Sequence, residues 1–434
     1  MDPITVGIIL SVILLVALAA GIWVAISLTI VGAAGMMMFS SAPVGSIAAT
    51  KFWELSSSIA LTALPLFIWM GEILFRTQLS ANMFSGLAPW LTRLPGRLMH
   101  TNVLGCGIFA AVSGSSTATC VTIGRMSLPE LKKRGYDEKM SIGSLASSGA
   151  LGLMIPPSII MIVYGVAAEV SIARLFIAGI IPGLLMMSLF MGYIATRAIL
   201  NPSRTPASDI TMTFVQKVRN SWQLLPVVLL IVGVIGSIYG GIATATESAA
   251  VGVVGALAIA AATRSLSWAS FTDSLMAATR TSCMLALILS ASAFLSTAMG
   301  FTGIPRFLAA TVGDMQLDPI MLLVVLTLLF IVLGCFLDGV SVIVLTTSVV
   351  MPMIAAAGID PIWFGIYLVI VVEMSVITPP VGFNLFVLQS LTGKDIFFIA
   401  AGCLPFFLLM VATVAILILV PEVATYLPSQ MYGR

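Results

Sequence analysis

Residues 149–157 read GALGLMIPP, and residues 376–380 read VITPP. Each stretch ends in two adjacent prolines, which lack the backbone N–H that a helix needs, and Gly152 further weakens the first stretch. Both stretches lie inside long apolar segments, so each predicts a helix that breaks partway and leaves backbone carbonyls without helical partners. The second pair of prolines follows the first by 223 residues, which indicates that one architecture occurs twice in the chain.

The composition around these stretches is that of a membrane protein. Hydrophobic residues make up 60% of the 434 residues, charged residues only 8%, and the mean hydropathy is +1.16. An ordinary soluble protein carries roughly 25% charged residues, because its surface must be wetted. These values exclude a cytosolic enzyme, a nucleic-acid-binding protein and a secreted disulfide scaffold. We expect an all-α polytopic membrane protein, since helices satisfy their own backbone groups in lipid.

Apolar segments of roughly 20 residues are long enough to span a bilayer. Such segments lie near 4–20, 22–40, 57–75, 141–168, 173–197, 225–243, 245–263, 280–299, 364–391 and 397–420. Two further segments, 98–128 and 320–357, are interrupted halfway by small and polar residues. They predict re-entrant hairpins rather than plain spans. Tryptophans near the span ends, including Trp268 and Trp363, are expected to lie at the membrane interfaces.

The chain aligns with itself at the 223-residue offset. This offset also pairs Pro129 with Pro352 and Pro182 with Pro405. Helix-breaking residues mark departures from helical geometry, so a shared register among them indicates duplication. We predict a first repeat at 1–200 with its hairpin near 98–128 and its broken helix near 141–168. A cytoplasmic linker at 201–223 precedes a second repeat at 224–434, whose hairpin lies near 320–357 and broken helix near 364–391.

The basic residues predict the orientation of the chain. Arg and Lys are concentrated at 125–139 and in the central linker, whereas the loop at 355–362 has none. Because short cytoplasmic loops are rich in Lys and Arg, we expect the N-terminus to be periplasmic. Each repeat then has five full spans and one hairpin. Five is odd, so the second repeat is inverted relative to the first, an arrangement typical of secondary transporters.

The first hairpin has the sequence SGSSTAT at 113–119, where glycine and hydroxyl residues break the helix. Free carbonyls at membrane depth are tolerated where they line a cavity or are otherwise satisfied, and a sodium ion binds several such oxygens. The alternative is a close helix contact made by small residues. The first predicted sodium site comprises Ser113, Gly114, Ser115, Ser116, Thr117, Gly152 and Pro156.

The second hairpin reads GCFLDGVS at 334–341 and places Asp338 in an apolar segment. A buried acid is costly unless it meets a cation or a proton. We interpret Asp338 first as a sodium ligand, direct or through the surrounding backbone, second as a proton carrier, and third as a structural partner of an arginine. The second predicted sodium site comprises Gly334, Asp338, Gly339, Ser341, Thr378 and Pro379.

A carboxylate substrate suits the space between the hairpin tips, because the N-terminal ends of helices carry partial positive charge. The candidate substrate-binding residues are Ser115, Ser116, Thr119, Arg125 and Asn384. Arg125 has an alternative role, as an anchor of the hairpin at the inner surface. Two further acids have structural interpretations: Glu247 as a helix-capping residue with Thr244 or Thr246, and Glu373 as a partner of an unidentified basic residue.

Several of these motifs resemble one known family. SGSSTAT, GALGLMIPPS, the segment at 240–252, the LDG of the second hairpin and ITPPVGFNLFV are similar to the large, DctM-type membrane subunit of tripartite ATP-independent periplasmic (TRAP) transporters. The resemblance covers nearly the whole chain. One departure is GIATATE, where a proline is more usual near the Thr-Glu pair.

The resemblance implies a permease of the bacterial inner membrane that takes up an organic acid, driven by a sodium gradient. It implies an elevator-type motion of a transport domain, formed by the hairpins and broken helices, against a scaffold domain. It also implies two partners: a small four-span DctQ-type membrane subunit and a periplasmic DctP-type binding protein. Because the chain starts at its first span, we expect the small subunit to be a separate polypeptide. Sodium is the only cofactor expected.

Two other functions are compatible with parts of this pattern. The first is a sodium/dicarboxylate symporter of the same superfamily that needs no binding protein. The second is an intramembrane enzyme, but the chain has a single histidine, His100, and neither an HExxH nor a GxSxG motif. We therefore predict a transporter and not an enzyme. For the organic acid we expect a carboxylate such as a C4-dicarboxylate, sialic acid or another sugar acid.

The predicted inversion can be tested by labelling single cysteines. In a chain whose five native cysteines are replaced, Lys133→Cys and Ala357→Cys report on the two loops. A membrane-impermeant maleimide should label Ala357→Cys in intact cells, and Lys133→Cys only after the inner membrane is permeabilised, because the basic loop stays in the cytoplasm. Labelling of both positions from the same side would contradict the inverted arrangement.

Overall fold

The fold is described by a computed structural model, which covers residues 3–77, 86–202, 206, 212–307, 310 and 318–432. These residues form helices and connecting turns, with no β-strand among them. The all-helical prediction is therefore confirmed. Within the predicted linker, residues 203–205 and 207–211 lie outside the described residues.

The helices divide into two series along the chain. The first series is α1 Pro3–Ala19, α2 Val24–Phe39, α3 Val44–Ser56, α4 Ile59–Phe75, α5 His100–Ser113, α6 Ser116–Lys133, α7 Glu138–Gly149, the short α8 Leu151–Met154, α9 Ile159–Ala167 and α10 Ile172–Leu200. The second series is α11 Phe214–Ser221, α12 Leu225–Tyr239, α13 Ala245–Ala262, α14 Trp268–Thr302, α15 Pro319–Gly334, α16 Gly339–Ala356, α17 Pro361–Ser375, α18 Phe383–Thr392, α19 Ile396–Leu419 and α20 Glu422–Tyr432.

Many of these helices are long and apolar enough to cross a bilayer. By length and composition, five described helices qualify singly, and up to eight spans result when bent pairs are counted as one. The five are α10, α13, α14, α16 and α19. Large apolar side chains such as Leu15 and Leu408 are more than half exposed, as expected where lipid is the solvent. The chain is a multi-pass membrane protein.

The two Pro-Pro pairs coincide with interruptions of the helices. In the first, α8 ends at Met154 and α9 begins at Ile159, at an angle of 44° between the two segments. The hydroxyl of Ser158 caps α9 by accepting from the amide of Met161. In the second, α17 ends at Ser375 and α18 begins at Phe383. Both Pro-Pro peptide bonds are cis. We call α7–α9 the first broken helix and α17–α18 the second.

The two interrupted segments turn at small or acidic residues. Between α5 and α6 the chain turns at Gly114, whose φ of 57° lies in the left-handed region that glycine adopts without steric cost. A Cβ atom placed on Gly105 would lie 3.6 Å from Ile123, so the two arms pack side by side around this turn. Between α15 and α16 the turn covers residues 335–338. We call α5–α6 the first hairpin and α15–α16 the second.

The helix bounds recur at the offset seen in the sequence. α6 and α16 each contain 18 residues, and α16 begins at Gly339, 223 residues after Ser116. The two series also differ: α3 and α4 are bent by 56°, whereas α14, at the same offset, is a single helix of 35 residues. α3 buries none of its residues, and its Lys51 forms an ion pair with Glu54 at 2.7 Å.

Packing separates the helices into two groups. α2 and α4 lie along α14, and α4 also packs on α13. In the second group, α7 lies along α19, α10 packs on α20, and the hairpins contact the broken helices. α9 and α16 join the groups by contacting α4 and α14. Trp363, predicted to lie at a membrane interface, packs inside the protein near the start of α17: the residue is 5% exposed, and its Nε1 donates to the carbonyl of Leu417 at 3.2 Å.

The crossing of α7 and α19 depends on two glycines. A Cβ atom on Gly143 would overlap the backbone of Gly402, with the Gly402 Cα only 2.9 Å away. A Cβ atom on Gly402 would in turn lie 2.7 Å from the carbonyl of Lys139. Small residues let membrane helices approach this closely, so the crossing is a direct contact between two backbones.

Replacing Gly143 by alanine should therefore destabilise the protein. We expect a loss of about 1–3 kcal/mol from overpacking, measured as a lower thermal unfolding midpoint of the detergent-purified protein. Gly192→Ala is the matched control, because a Cβ atom at that helical position meets nothing within 4 Å. An unfolding midpoint of Gly143→Ala equal to that of the control would refute the close crossing.

Candidate functional site

The tip of the first hairpin lies against the first broken helix. A Cβ atom on Gly152 would fall 2.6 Å from the carbonyl oxygen of Ser115 and 2.9 Å from the Cα of Ser116. A Cβ atom on Gly114 would lie 3.3 Å from the carbonyl oxygen of Pro157. The two segments of the first predicted sodium site are thus neighbours. Their contact is made by backbone atoms, which include the carbonyl oxygens of Ser115 and Pro157.

Hydrogen bonds within the tip hold its shape. The hydroxyls of Ser113 and Thr119 are 2.6 Å apart, and the Thr119 hydroxyl donates to the carbonyl of Ser115 at 2.7 Å. Ser115 caps α6 by accepting from the amide of Ala118. Thr119, predicted to contact substrate, is fully buried within this network. Thr117 is exposed and faces away from it.

The tip of the second hairpin lies against the second broken helix. Gly334 packs so closely on Ser375 that a Cβ atom there would be 2.6 Å from the Ser375 Cβ. The Sγ of Cys335 is 3.5 Å from the carbonyl oxygen of Pro379. Each tip therefore packs on the Pro-Pro break of its own half of the chain. The hydroxyl of Thr378, a predicted ligand, donates back to the carbonyl of Met374 at 2.7 Å.

Asp338 is the N-cap of α16. Its carboxylate accepts from the amides of Val340 at 3.2 Å and Ser341 at 3.3 Å, and from the hydroxyl of Ser341. The residue is exposed, and none of the ion pairs within the described residues involves it. Its side chain thus holds the start of α16, next to Gly339 and Ser341 of the second predicted site.

Asn384 joins the second broken helix to the first hairpin. Its Nδ2 donates to the hydroxyl of Ser116 at 2.9 Å, across 268 residues of sequence, and to the carbonyl of Ala146 at 3.1 Å. The side chain is fully buried, and its Oδ1 has no hydrogen-bond partner among the described residues. Asn384, a candidate substrate-binding residue, thus lies between the two halves of the chain, beside Ser116, which is another of these candidates.

Glu373 lies next to this junction and has no ion-pair partner in the described part of the chain. It is fully buried in α17, and neither carboxylate oxygen has a partner in hydrogen-bonding geometry there. The hydroxyl of Ser116 faces it. From the sequence, Glu373 is expected to pair with a basic residue, and no functional role is predicted for it. The signal was an acid in an apolar segment, but only the fold shows that it meets the first hairpin.

Arg125 lies apart from the tip of the first hairpin. It follows Ser116 by nine residues in α6, which is about 14 Å along the helix axis. It is exposed and lines a cavity of about 360 Å³ together with Lys132, Tyr136 and Glu138. Lys394 reaches Glu138 at 2.8 Å. Arg125 is thus not brought together with the other candidate substrate residues.

Glu247 has the structural role predicted for it. Its carboxylate accepts from the amide and the hydroxyl of Thr244, each at 2.8 Å, and the Thr244 hydroxyl accepts from the Glu247 amide. This is a complete capping box at the start of α13. The capping prediction is confirmed, and Thr244 rather than Thr246 is the N-cap.

Sequence relatives of the chain are transport proteins. It is 31% identical to the C4-dicarboxylate TRAP transporter large permease protein DctM of Pseudomonas aeruginosa, over 93% of this chain and 94% of that protein. It is 32% identical to the isethionate TRAP transporter permease protein DctMQ of Oleidesulfovibrio alaskensis, covering 94% of this chain but only 64% of that longer protein. The Escherichia coli K12 2,3-diketo-L-gulonate large permease YiaN is 28% identical, over 94% and 96%.

Two solved structures share the fold. The YdaH transporter of Alcanivorax borkumensis superposes with a TM-score of 0.59 at 14% identity, covering 87% of each chain. MtrF of Neisseria gonorrhoeae, from a class of antimetabolite efflux pumps, superposes with a TM-score of 0.53 at 12% identity, over 88% of this chain and 83% of its own.

The sequence profile of the tripartite ATP-independent periplasmic transporter, DctM component, matches residues 11–423. Its members are membrane transport proteins and not enzymes, which confirms that part of the sequence prediction. The family profile and the sequence relatives both match nearly the whole chain. The chain therefore belongs to the DctM family, the large permease subunits of TRAP transporters.

Proposed function

We propose that this permease takes up an organic acid in symport with sodium. The observation that carries the proposal is the seating of each hairpin tip on the Pro-Pro break of its own half. Gly152 contacts Ser115, and Cys335 contacts Pro379. Each junction gathers backbone carbonyls and hydroxyls at a helix break, and oxygen atoms are the ligands of hard cations. We assign one sodium site to each junction, with the residues predicted from the sequence.

We further propose that the two halves are inverted repeats. The equal length of α6 and α16 and the 223-residue offset of their first residues support a duplication. The odd number of predicted spans per repeat supports the inversion. The packing of the helices in two groups is compatible with an elevator motion, in which the hairpins and broken helices move together against α2, α4, α13 and α14.

Coupling between sodium and substrate follows from differential affinity. Sodium held at a junction would favour the conformation in which hairpin tip and broken helix are in contact. A substrate that binds the same conformation then binds more tightly when sodium is present, and the reverse also holds. The chemistry needs no covalent step. The chain only has to order its own carbonyl groups around the ion.

The substrate class is inferred from charge. Named relatives carry C4-dicarboxylates, 2,3-diketo-L-gulonate, isethionate and ectoine; the first three are anions, and ectoine is a zwitterion that contains a carboxylate. α6 and α16 both begin at hairpin tips, and their N-terminal ends carry partial positive charge. A carboxylate lying between the tips would be stabilised by both. We propose this position for the substrate, and we place Arg125 at the inner surface as an anchor of the hairpin.

The proposal includes partners and location. A DctQ-type small membrane subunit would pack on the exposed apolar surface, and a DctP-type binding protein would deliver the substrate from the periplasm. The permease would lie in the bacterial inner membrane with its N-terminus periplasmic. The binding protein distinguishes this function from the alternative, a sodium/dicarboxylate symporter of the same superfamily that captures its substrate alone.

The function can be tested in proteoliposomes that contain the permease with its small subunit. We expect uptake of a radiolabelled organic acid only when the matching binding protein and an inward sodium gradient are both supplied. A potassium gradient of equal size is the control. Uptake without the binding protein would favour the symporter, and uptake that is the same with potassium would refute sodium coupling.

Asp338 can be tested with two substitutions. Asp338→Ala removes both the cap and the charge, so we expect it to abolish sodium-dependent uptake while leaving assembly with the small subunit intact. Asp338→Asn keeps a good N-cap residue, so uptake should be partly retained if Asp338 acts through the backbone of α16. Unchanged sodium-dependent uptake in Asp338→Ala would remove Asp338 from the second site. Equal loss in both variants would show that the charge itself is required.

A further inference from the structure

Glu373 is a buried carboxylate that has no counter-charge among the described residues. Its side chain is completely buried, and both carboxylate oxygens lack hydrogen-bond partners there. None of the ion pairs in the described part of the chain includes it. Burying a lone carboxylate costs several kcal/mol or more. An acid in such a place within a membrane protein indicates a function, and the buried position calls for a positive partner.

The neighbours of Glu373 identified among the described residues supply oxygen atoms, and no ion pair there brings a cation to it. The Ser116 hydroxyl faces the carboxylate and accepts a hydrogen bond from Asn384 Nδ2. The Oδ1 of Asn384 is buried and also lacks a partner among the described residues. The helix that carries Glu373 packs against the turn Leu151–Met154, and Gly152 in that turn touches the backbone of Ser115 and Ser116. Glu373 therefore borders the first sodium site proposed above.

That site, as predicted from the sequence, has only neutral ligands. A monovalent cation held there would keep its full charge at membrane depth, where an uncompensated charge is costly. Each charge removes the cost of the other when the two are paired in good geometry. The positive end of α6, which begins at Ser116, offsets part of the negative charge. It provides no ligand that the carboxylate oxygens reach in hydrogen-bonding geometry.

We propose that Glu373 is the charge-compensating carboxylate of the sodium site at the first hairpin tip. The site then draws on three segments: the tip at Ser115 and Ser116, the first broken helix at Gly152, and the second broken helix at Glu373. This inference rests on the proposed sodium coupling and extends it. Sodium at this site would tie the two halves of the chain together, beside the link that Asn384 already makes to Ser116.

The test measures sodium binding by thermal unfolding of the purified permease with its small subunit. The unfolding midpoint is followed as NaCl replaces KCl at constant ionic strength. We expect sodium to raise the midpoint of the wild type. In Glu373→Gln the half-saturating sodium concentration should rise about ten-fold or more, and the midpoint without sodium should be higher than that of the wild type, because the buried charge is gone.

Glu72→Gln is the matched control. Glu72 is also an acid in an apolar helix, but it pairs with Arg76 at 3.4 Å, so its loss should leave the response to sodium unchanged. A merely structural role of Glu373 would instead lower the midpoint of Glu373→Gln equally at every sodium concentration.

The outcomes separate the two proposals. If sodium stabilises the wild type and the half-saturating sodium concentration of Glu373→Gln is unchanged, the role of Glu373 is refuted. The proposed sodium coupling then still stands. A wild type that does not respond overturns the sodium coupling, and the inference with it. If Glu373→Gln fails to fold, Glu373→Asp is the second test. This variant keeps the carboxylate but shortens the side chain by one methylene group. The inference predicts weaker sodium binding for this variant, and an unchanged response contradicts it.

Discussion

A membrane offers no water to the backbone, so every break in a helix must be satisfied by protein or by a bound ion. In this permease two helices break at Pro-Pro pairs, and the breaks are tolerated because a hairpin tip lies against each one. The carbonyl of Pro157 lies beside Gly114, and that of Pro379 beside Cys335. Tip and break are therefore one structural unit, and the proposed ion sites are a consequence of this pairing.

The two units differ in how closed they are. At the first, Thr119, Gly152 and Asn384 are buried, and hydroxyl groups link the tip internally. At the second, Asp338 is exposed and Pro380 is exposed beside it. The sequence repeat gives no hint of this asymmetry. Both units receive a side chain from the other half of the chain, but Asn384 donates a hydrogen bond to Ser116 at the first, whereas Ile160 makes an apolar contact with Gly339 at the second.

Local signals in the sequence predicted much of the fold. Proline pairs, glycine-rich tips and long apolar runs act over a few residues, so the helices and their interruptions could be expected near 141–168 and 98–128. Cooperative packing was harder to predict. α14 is one continuous helix where α3 and α4 bend, and Trp363 is buried inside the protein. The N-cap role of Asp338 could have been predicted, since an acid before Gly-Val-Ser fits an N-cap. Its apolar surroundings favoured the interpretation as a sodium ligand. The meeting of Glu373 and Asn384 with Ser116 joins distant segments and leaves no trace in any local pattern.

The contact of Gly143 with Gly402 has a mechanical consequence. Where two helices touch through side chains, the interdigitated groups can change rotamer and let one helix slide past the other. Here the two backbones are in direct contact, and no side chains lie between them that could change rotamer. α7 and α19 must therefore move as one rigid unit. The conformational change that a transport cycle requires has to occur at other helix contacts of the protein.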